Sequence, residues 1–326
     1  MPLYEDRRNA ENRISTTDAC RHSIRMGTTE TVQVLLDAVR KRAETLGRSP
    51  VVAFDGWYGV DWTSIVDAVR QGDADGVIGA YWNSKDLFQP SSDIAAYKSR
   101  YLTDDPSFGW VNDKGHMSDL MDPGRIDNWR HILAVPGRPA TVLYGCGAAI
   151  PALAEVIDMT VYFDKTRQAI LWQMWDGRLV PLGADAPDPN YGWKEYYYCD
   201  YYLLDRQKEY LYDRLDFWVE AISTDALKIV PRAAYDEIIR TLLTYPVKEI
   251  KIYQPGPWGA YRYRDLFDVP GLECNAWNEL AGPELGMMVE LAPDMRIEMP
   301  MLNLMQHQRA FLGEHLAQAY PGLFPL

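Results

Sequence analysis

The run Val51-Val52-Ala53-Phe54-Asp55-Gly56-Trp57-Tyr58-Gly59-Val60-Asp61-Trp62-Thr63 decides how the rest of the chain is read. An apolar stretch leads into a turn that carries glycines, and Thr63 to Arg70, "TSIVDAVR", follows at helical spacing. The pattern predicts a buried strand, a tight turn and a helix. Phosphate-binding loops of the form Gly-x-x-x-x-Gly-Lys-[Ser/Thr] occupy this context: backbone N–H groups ring the phosphates, the lysine balances their charge and the hydroxyl holds magnesium. In that register Gly56 is the first glycine and Gly59 an additional inner one. Asp61 stands for the second glycine, Trp62 stands for the lysine, and Thr63 is retained.

Outward from the turn, strands alternate with helices. Thr28 to Leu46 reads as a helix with a Thr cap, an apolar face of Val32, Leu35, Leu36, Val39 and Leu46, and Gly47 as its stop. Ala74 to Trp82, Ala140 to Ala148 and Met159 to Asp164 read as further strands, and Ile126 to Leu133 and Leu153 to Val156 as helical. Strands that are nearly all apolar, separated by helices, predict an α/β fold with a parallel sheet covered on both faces. Tyr201 to Ile222 reads as one long amphipathic helix with Asp205, Arg206, Lys208, Asp213 and Arg214 on its wetter side. Residues 1–27 read as an arm without clear period. After Val247 the texture becomes Pro- and Gly-rich and then β-like, "LGMMVELAPDMRIEMPMLNL". The expected organisation is an N-terminal arm and helix (1–47), an α/β domain (48–247) and a small C-terminal β-containing segment (248–326).

Composition narrows the function classes. The 326 residues carry 33 Lys+Arg against 46 Asp+Glu, a formal net charge of −13, so nucleic acid and anionic membrane are poor partners. The first residues lack an apolar signal core and no stretch has the length to span a bilayer, which points to the cytoplasm. Cys20, Cys146, Cys199 and Cys274 are far apart and read as reduced structural thiols, and the five histidines are equally scattered, so neither a metal nor another cofactor is expected. With 21 Tyr and 11 Trp against 8 Phe, aromatic side chains with polar tips are available for wet pockets or interfaces.

The order of these segments resembles the uridine-kinase and phosphoribulokinase-like branch of P-loop kinases. "YLTDDPSFG" is similar to that branch's substrate-side "DHPDxF" element, "VLYGCGA" to its third catalytic strand and "MTVYFDKTRQAI" to its "D-x-x-[VI]-[YF]-x-D" strand and turn. "KEYYYCDYYLLDRQKEYLYDRLDFWVE" and "PGPWGAYRYRDLFDVPGLECNAWNELAGPE" resemble the long class I mannose-6-phosphate isomerase-like proteins, which carry a kinase-like domain before a cupin. The resemblance implies a P-loop kinase-like sheet, with residues 248–326 as the opening of a cupin whose exposed edges a protein partner covers. The family's zinc ligands belong to a strand beyond "LAQAYPGLFPL", so isomerase activity is not expected of this chain. The chain also resembles the aziridine-forming proteins of azinomycin-type natural-product pathways.

Charge then sets the chemistry. A carboxylate about 4 Å from a bound sulfate or phosphate repels it by roughly 4 kcal/mol at an effective dielectric near 20. A helix N-terminus returns only roughly 0.3 to 1 kcal/mol. Either a basic side chain supplies the difference or Asp61 faces a cationic or proton-donating part of the ligand. Lys165 and Arg167 follow a strand end, and Arg206 and Lys208 lie on the helix that resembles the family's lid, so these four are the candidate cations. Asp61 also suits a helix N-cap, and Asp164 a turn cap. Asp104 and Asp105 precede Pro106, and Tyr196, Tyr197 and Tyr198 suit packing.

The expected function is a metal-independent enzyme in which a small molecule bearing sulfate or phosphate closes a ring by intramolecular displacement. Asp61, Arg206 and Lys208 are the expected catalytic residues. Gly56, Trp57, Tyr58, Gly59, Trp62, Thr63, Asp104, Asp164, Lys165 and Arg167 are the expected substrate contacts. The rival expectations are a pseudokinase scaffold for a separate cupin subunit, and a small-molecule kinase with a displaced lysine such as Lys85 or Lys165.

Overall fold

The computed structural model describes residues 11–105, 108–135, 139–244, 247 and 285–307. The strands are β1 (Glu11–Arg13), β2 (Arg25–Met26), β3 (Val51–Gly56), β4 (Ile78–Asn83), β5 (Ala140–Tyr144), β6 (Met159–Asp164), β7 (Phe217–Glu220), β8 (Lys228–Pro231), β9 (Gly286–Ala292) and β10 (Met295–Pro300). The α-helices are α1 (Asp18–Ser23), α2 (Thr28–Leu46), α3 (Trp62–Gly72), α4 (Ser91–Ser99), α5 (Pro123–Leu133), α6 (Arg167–Trp175), α7 (Trp193–Glu195), α8 (Tyr201–Leu211) and α9 (Arg232–Leu242). A π-helical turn, Tyr196–Asp200, joins α7 to α8. Contacts divide the chain into two compact units, one of residues 23–165 and 172–232, the other of 1–22, 166–171 and 233–326.

The unit of residues 23–165 and 172–232 is built on a seven-stranded sheet in the order β2-β8-β7-β6-β3-β5-β4. β3 to β7 run parallel, and β8 is antiparallel to both of its neighbours. β3 and β6 are buried along their whole length, as the interior strands of a parallel sheet require. Their pleat sorts the side chains. Val52, Phe54, Val161 and Phe163 join Leu35, Leu36 and Val39 of α2 and Ile65 and Val69 of α3 in one core. On the opposite pleat, Asp55 and Asp164 bond Gln207 and Lys208 of α8. Helices therefore cover both faces, as the alternation of segments predicts. The chain leaves β3 toward β4 on one side and β6 toward β7 on the other. Their carboxyl ends form the switch point at which open α/β sheets place ligands.

Three local expectations are corrected. α2 has the predicted bounds, but its N-cap is Gly27 at φ 111 rather than Thr28, whose hydroxyl donates instead to the Thr224 carbonyl at 2.6 Å. The helix predicted over Tyr201 to Ile222 ends at Leu211, and Phe217–Glu220 is β7, paired in parallel with β6. Its aromatic and β-branched residues suit a strand, and the Trp218 indole donates to Asp164 at 2.9 Å. Lys208, assigned to the wetter face, is buried.

The other unit contains a three-stranded sheet, β1-β9-β10. β9 and β10 pair antiparallel across a Pro-Asp turn, where the sequence predicts β-structure broken by proline. Residues read as an arm without clear period supply β1, parallel to β9. Most of the expected cupin-like extension, 248–284 and 308–326, lies outside the described residues, and so does the surface expected to take a protein partner. Among the described residues no helix is long and apolar enough to cross a membrane.

The Asp55 carboxylate is fully buried and accepts the N–H groups of Gly56 at 2.7 Å, Gly147 and Ala149 at 2.9 Å, and Gln207 Nε2 at 2.8 Å. Burial, outweighing these four hydrogen bonds, pushes its pKa up to about 6. Truncation to Ala leaves these donors unpaired in the interior, each worth roughly 1 to 3 kcal/mol. Asp55→Ala is expected to lower unfolding free energy by about 3 kcal/mol or more, read by urea denaturation.

Candidate functional site

A cleft of about 510 Å³ opens at the switch point, within the sheet unit. Its walls are the turn Tyr58–Thr63, the Asn83–Lys85 segment after β4, the Gly145–Cys146 pair after β5, Gln173 of α6, and the loop around 178–187. A hollow of about 640 Å³ around Pro50 and Pro139 lies at the amino ends of β3 and β5, away from the switch point.

The turn after β3 is held from several sides. A Cβ on Gly56 would meet the Phe163 carbonyl at 2.4 Å, so only glycine lets β3 and β6 approach there. The next N–H, of Trp57, donates to that carbonyl at 2.9 Å. The Trp57 indole is buried against the Tyr196 hydroxyl at 3.1 Å. Tyr58 is buried too, its hydroxyl accepting the Leu182 N–H at 3.1 Å and donating to Asp200 at 3.3 Å. Asp200 also receives the Tyr191 hydroxyl at 2.6 Å and the Lys98 ammonium at 2.9 Å. This buried cluster pins the 178–187 wall. Gly59, at φ 75, turns its carbonyl toward two donors, Lys165 Nζ and Gln173 Nε2, each at 2.9 Å.

Asp61 caps α3. Its Oδ1 accepts the Ser64 N–H at 3.1 Å and its Oδ2 the Ser64 hydroxyl at 2.7 Å, while the side chain stays exposed on the rim of the cleft. Trp62 lies against Phe163 edge-on, with ring centroids 5.5 Å apart. Burial and the Asp55 charge push the Cys146 thiol well above its ordinary range, while a hydrogen bond with Trp62 pulls it the other way.

Of the expected site residues, Tyr58, Gly59, Asp61, Trp62 and Thr63 line the cleft, and Lys165 lies behind Gly59. Gly56 and Trp57 shape the turn from behind. The remaining expected residues are elsewhere. Asp164 and Lys208 form a buried ion pair at 2.7 Å, with the ammonium over the Trp57 and Tyr162 rings. Arg206 donates to the Asp113 carbonyl. Arg167 is fully buried and belongs to the other unit. Asp104 is exposed, and Asp105 accepts the Phe108 N–H at 2.8 Å in a local turn. Asp55, Lys98, Gln173, Asp200 and Gln207 enter this region without having been singled out, and Cys146, read only as a structural thiol, lines the cleft. Asp55 and Asp200 do interrupt apolar and aromatic runs, which is the signal that marks a buried carboxylate.

Two buried lysines show opposite electrostatics. Lys208 is neutralised by Asp164, whereas Lys165, 6% exposed, makes no ion pair with a carboxylate among the described residues. Burial lowers the Lys165 pKa from 10.5 to about 8; Asp61 raises it by less, and Arg178 lowers it further. Below about pH 8 the folded protein therefore holds a charge that burial disfavours. Between there and 10.5 the unfolded chain binds more protons, so this residue's contribution to stability rises with pH.

Thermal and urea unfolding should separate the two roles. Lys208→Met, which strands the Asp164 charge, is expected to cost roughly 3 to 5 kcal/mol. Lys165→Met is expected to stabilise by roughly 1 to 3 kcal/mol at pH 7, and this gain should shrink toward pH 11.

Neither the curated proteins nor the solved structures yield a match to this chain. Residues 32–244, most of the chain and the greater part of the sheet unit, match the profile of a domain of unknown function, DUF8485, and the chain belongs to that family.

Proposed function

We propose that the cleft binds a small molecule carrying both an amine and a sulfate or phosphate ester, and that it closes a ring by intramolecular displacement of the anion. The observation that carries this reading is a pair of opposite charges at one turn, one on it and one behind it. The Asp61 carboxylate stands on the rim and the Lys165 ammonium behind Gly59, near enough to influence each other but not in ion-pair contact. A ligand with a proton-donating nitrogen and an anionic oxygen complements both. Strongly perturbed ionisable groups beside a cleft are the usual mark of a working site. The strand-turn-helix of residues 51–72, leaving the central parallel strand, supports reading the sheet unit as a repurposed P-loop kinase-like frame.

In the proposed reaction the amine nitrogen forms a bond to carbon as the carbon–oxygen bond to the ester breaks, and the electron pair leaves on the anion. The amine proton passes to the Asp61 carboxylate. Lys165 steadies the departing charge, and at 4 Å and an effective dielectric near 20 an ammonium offsets about the 4 kcal/mol that a carboxylate at that distance costs. Holding nucleophile and leaving group in line removes up to roughly 7 to 11 kcal/mol of barrier, so orientation by the walls carries much of the rate. The apolar Leu179–Leu182 stretch of the wall, with Phe88, gives the carbon skeleton of such a ligand a surface to lie on.

Ion chromatography of anion released from vicinal amino-alkyl sulfates and phosphates tests the reading. The wild type should release anion, and Asp61→Asn should do so about 10² to 10⁴ times more slowly with sulfate affinity retained. Lys165→Met should lose sulfate affinity by about tenfold or more. Calorimetry should show wild-type sulfate affinity falling as pH rises through about 8, because only the protonated Lys165 attracts the anion. Absence of release from every ester, or an Asp61→Asn rate equal to wild type, would sink the proposal.

A further inference from the structure

Trp62 occupies the position that a phosphate-binding loop gives to lysine, and its ring has a definite place. The Cη2 edge of the indole lies 3.1 Å from where a Cβ on Gly56 would stand. The indole packs against Phe163 at the end of β6 in a T-shaped arrangement, with ring centroids 5.5 Å apart. The indole therefore lies across the ends of β3 and β6, on the inner side of the turn. That inner side is where the N–H groups of a phosphate loop ring their ligand.

The other components of such a loop are committed as well. The Trp57 N–H is bonded to the Phe163 carbonyl at 2.9 Å and the Trp62 N–H to the Val60 carbonyl at 3.0 Å. Each Asp61 oxygen accepts one hydrogen bond from Ser64, which holds the carboxylate at the helix cap. The nearest lysine, Lys165, reaches the turn at the Gly59 carbonyl, alongside Gln173.

We infer that Trp62 is the specificity-determining residue of this site: its indole fills the hollow that would receive a polyphosphate and confines ligands to the outer cleft. The turn thereby serves as a wall for a small ligand, and nucleoside triphosphates are excluded by volume and by the Asp61 charge together. This inference concerns which ligands fit and is independent of the reaction assigned to the outer cleft. It also bears on the kinase expectation, because a displaced lysine restores charge to the turn without emptying the hollow.

The register of the turn makes the inference testable by reconstruction. Asp61→Gly with Trp62→Lys converts Gly56–Thr63 into Gly-Trp-Tyr-Gly-Val-Gly-Lys-Thr, which has the full spacing of a phosphate-binding loop. Isothermal titration with inorganic pyrophosphate and with magnesium ATP, at 0.15 M salt, compares it with the wild type. The wild type should show no saturable binding up to about 1 mM of either probe, and the double variant should bind both at least tenfold more tightly, about 1.4 kcal/mol. Trp62→Phe, which keeps a ring in the hollow, should behave as wild type. If the double variant melts without a cooperative transition, Trp62→Lys alone, which keeps the Asp61 cap, carries the same comparison. Saturable magnesium ATP binding by the wild type overturns the inference, and so does a cooperatively folded lysine variant that binds neither probe.

Discussion

A single buried carboxylate holds the working end of this sheet together. Asp55, next to the last residue of β3, gathers the Gly56 N–H that leads into the turn, two N–H groups of the loop after β5, and a side-chain amide from α8. Four donors on two oxygens is close to the full capacity of a carboxylate. Because the site is fully buried, water cannot replace any of these bonds, so the three segments keep one relative geometry or leave donors unpaired at substantial cost. The shape of the cleft follows from this junction. Its turn leaves β3 from Asp55–Gly56, its Gly145–Cys146 wall is the start of the loop that Asp55 fixes, and α8 is held against the same strand end.

A second set of buried charges frames the other wall. Asp200, at the end of the π-helical turn, draws together Lys98 of α4, Tyr191 and Tyr58, and through Tyr58 it holds the Leu182 backbone. Asp164 pairs with Lys208 and receives the Trp218 indole, tying β6 to α8 and β7. These groups fix the frame because each charge has its complement. Lys165 and Asp61 differ in this respect, each placed beside the cleft without forming an ion pair with the other. That imbalance, more than any motif, distinguishes the outer cleft from the structural polar clusters behind it.

The relation of Trp62 to Lys165 changes what the turn means. In a phosphate loop one side chain reaches inward from the first helical turn and supplies charge. Here that position supplies an aromatic volume, and the positive charge comes from the next strand, behind the turn. Charge and space are thus assigned to different residues. On the proposed reading, such a turn suits a compact ligand bearing one anionic group rather than a chain of phosphates.

Much of the frame was legible in the sequence. Continuous apolar runs at 51–54, 140–144 and 159–164 specify interior parallel strands, because only a residue covered on both faces escapes alternation, and the spacing of Val32, Leu35, Leu36 and Val39 specifies α2. The register Gly56, Asp61, Trp62 specifies a turn without the usual charge balance. The sequence could not tell that "FWVE" is a strand, because its apolar residues continue the period of α8 and only pairing with β6 decides between them. Nor could it sort the charged residues. Lys165, Arg167, Arg206 and Lys208 look alike along the chain, yet one lies behind the cleft, one is buried in the other unit, one meets a loop carbonyl and one neutralises Asp164. Which partner a charge finds depends on residues far away in the chain. Sequence therefore determined the elements and the altered turn, and tertiary structure alone decided that Asp61 caps a helix at the rim, that Trp62 packs against Phe163 at the end of β6, and that Lys165 is a buried cation without a carboxylate ion pair among the described residues.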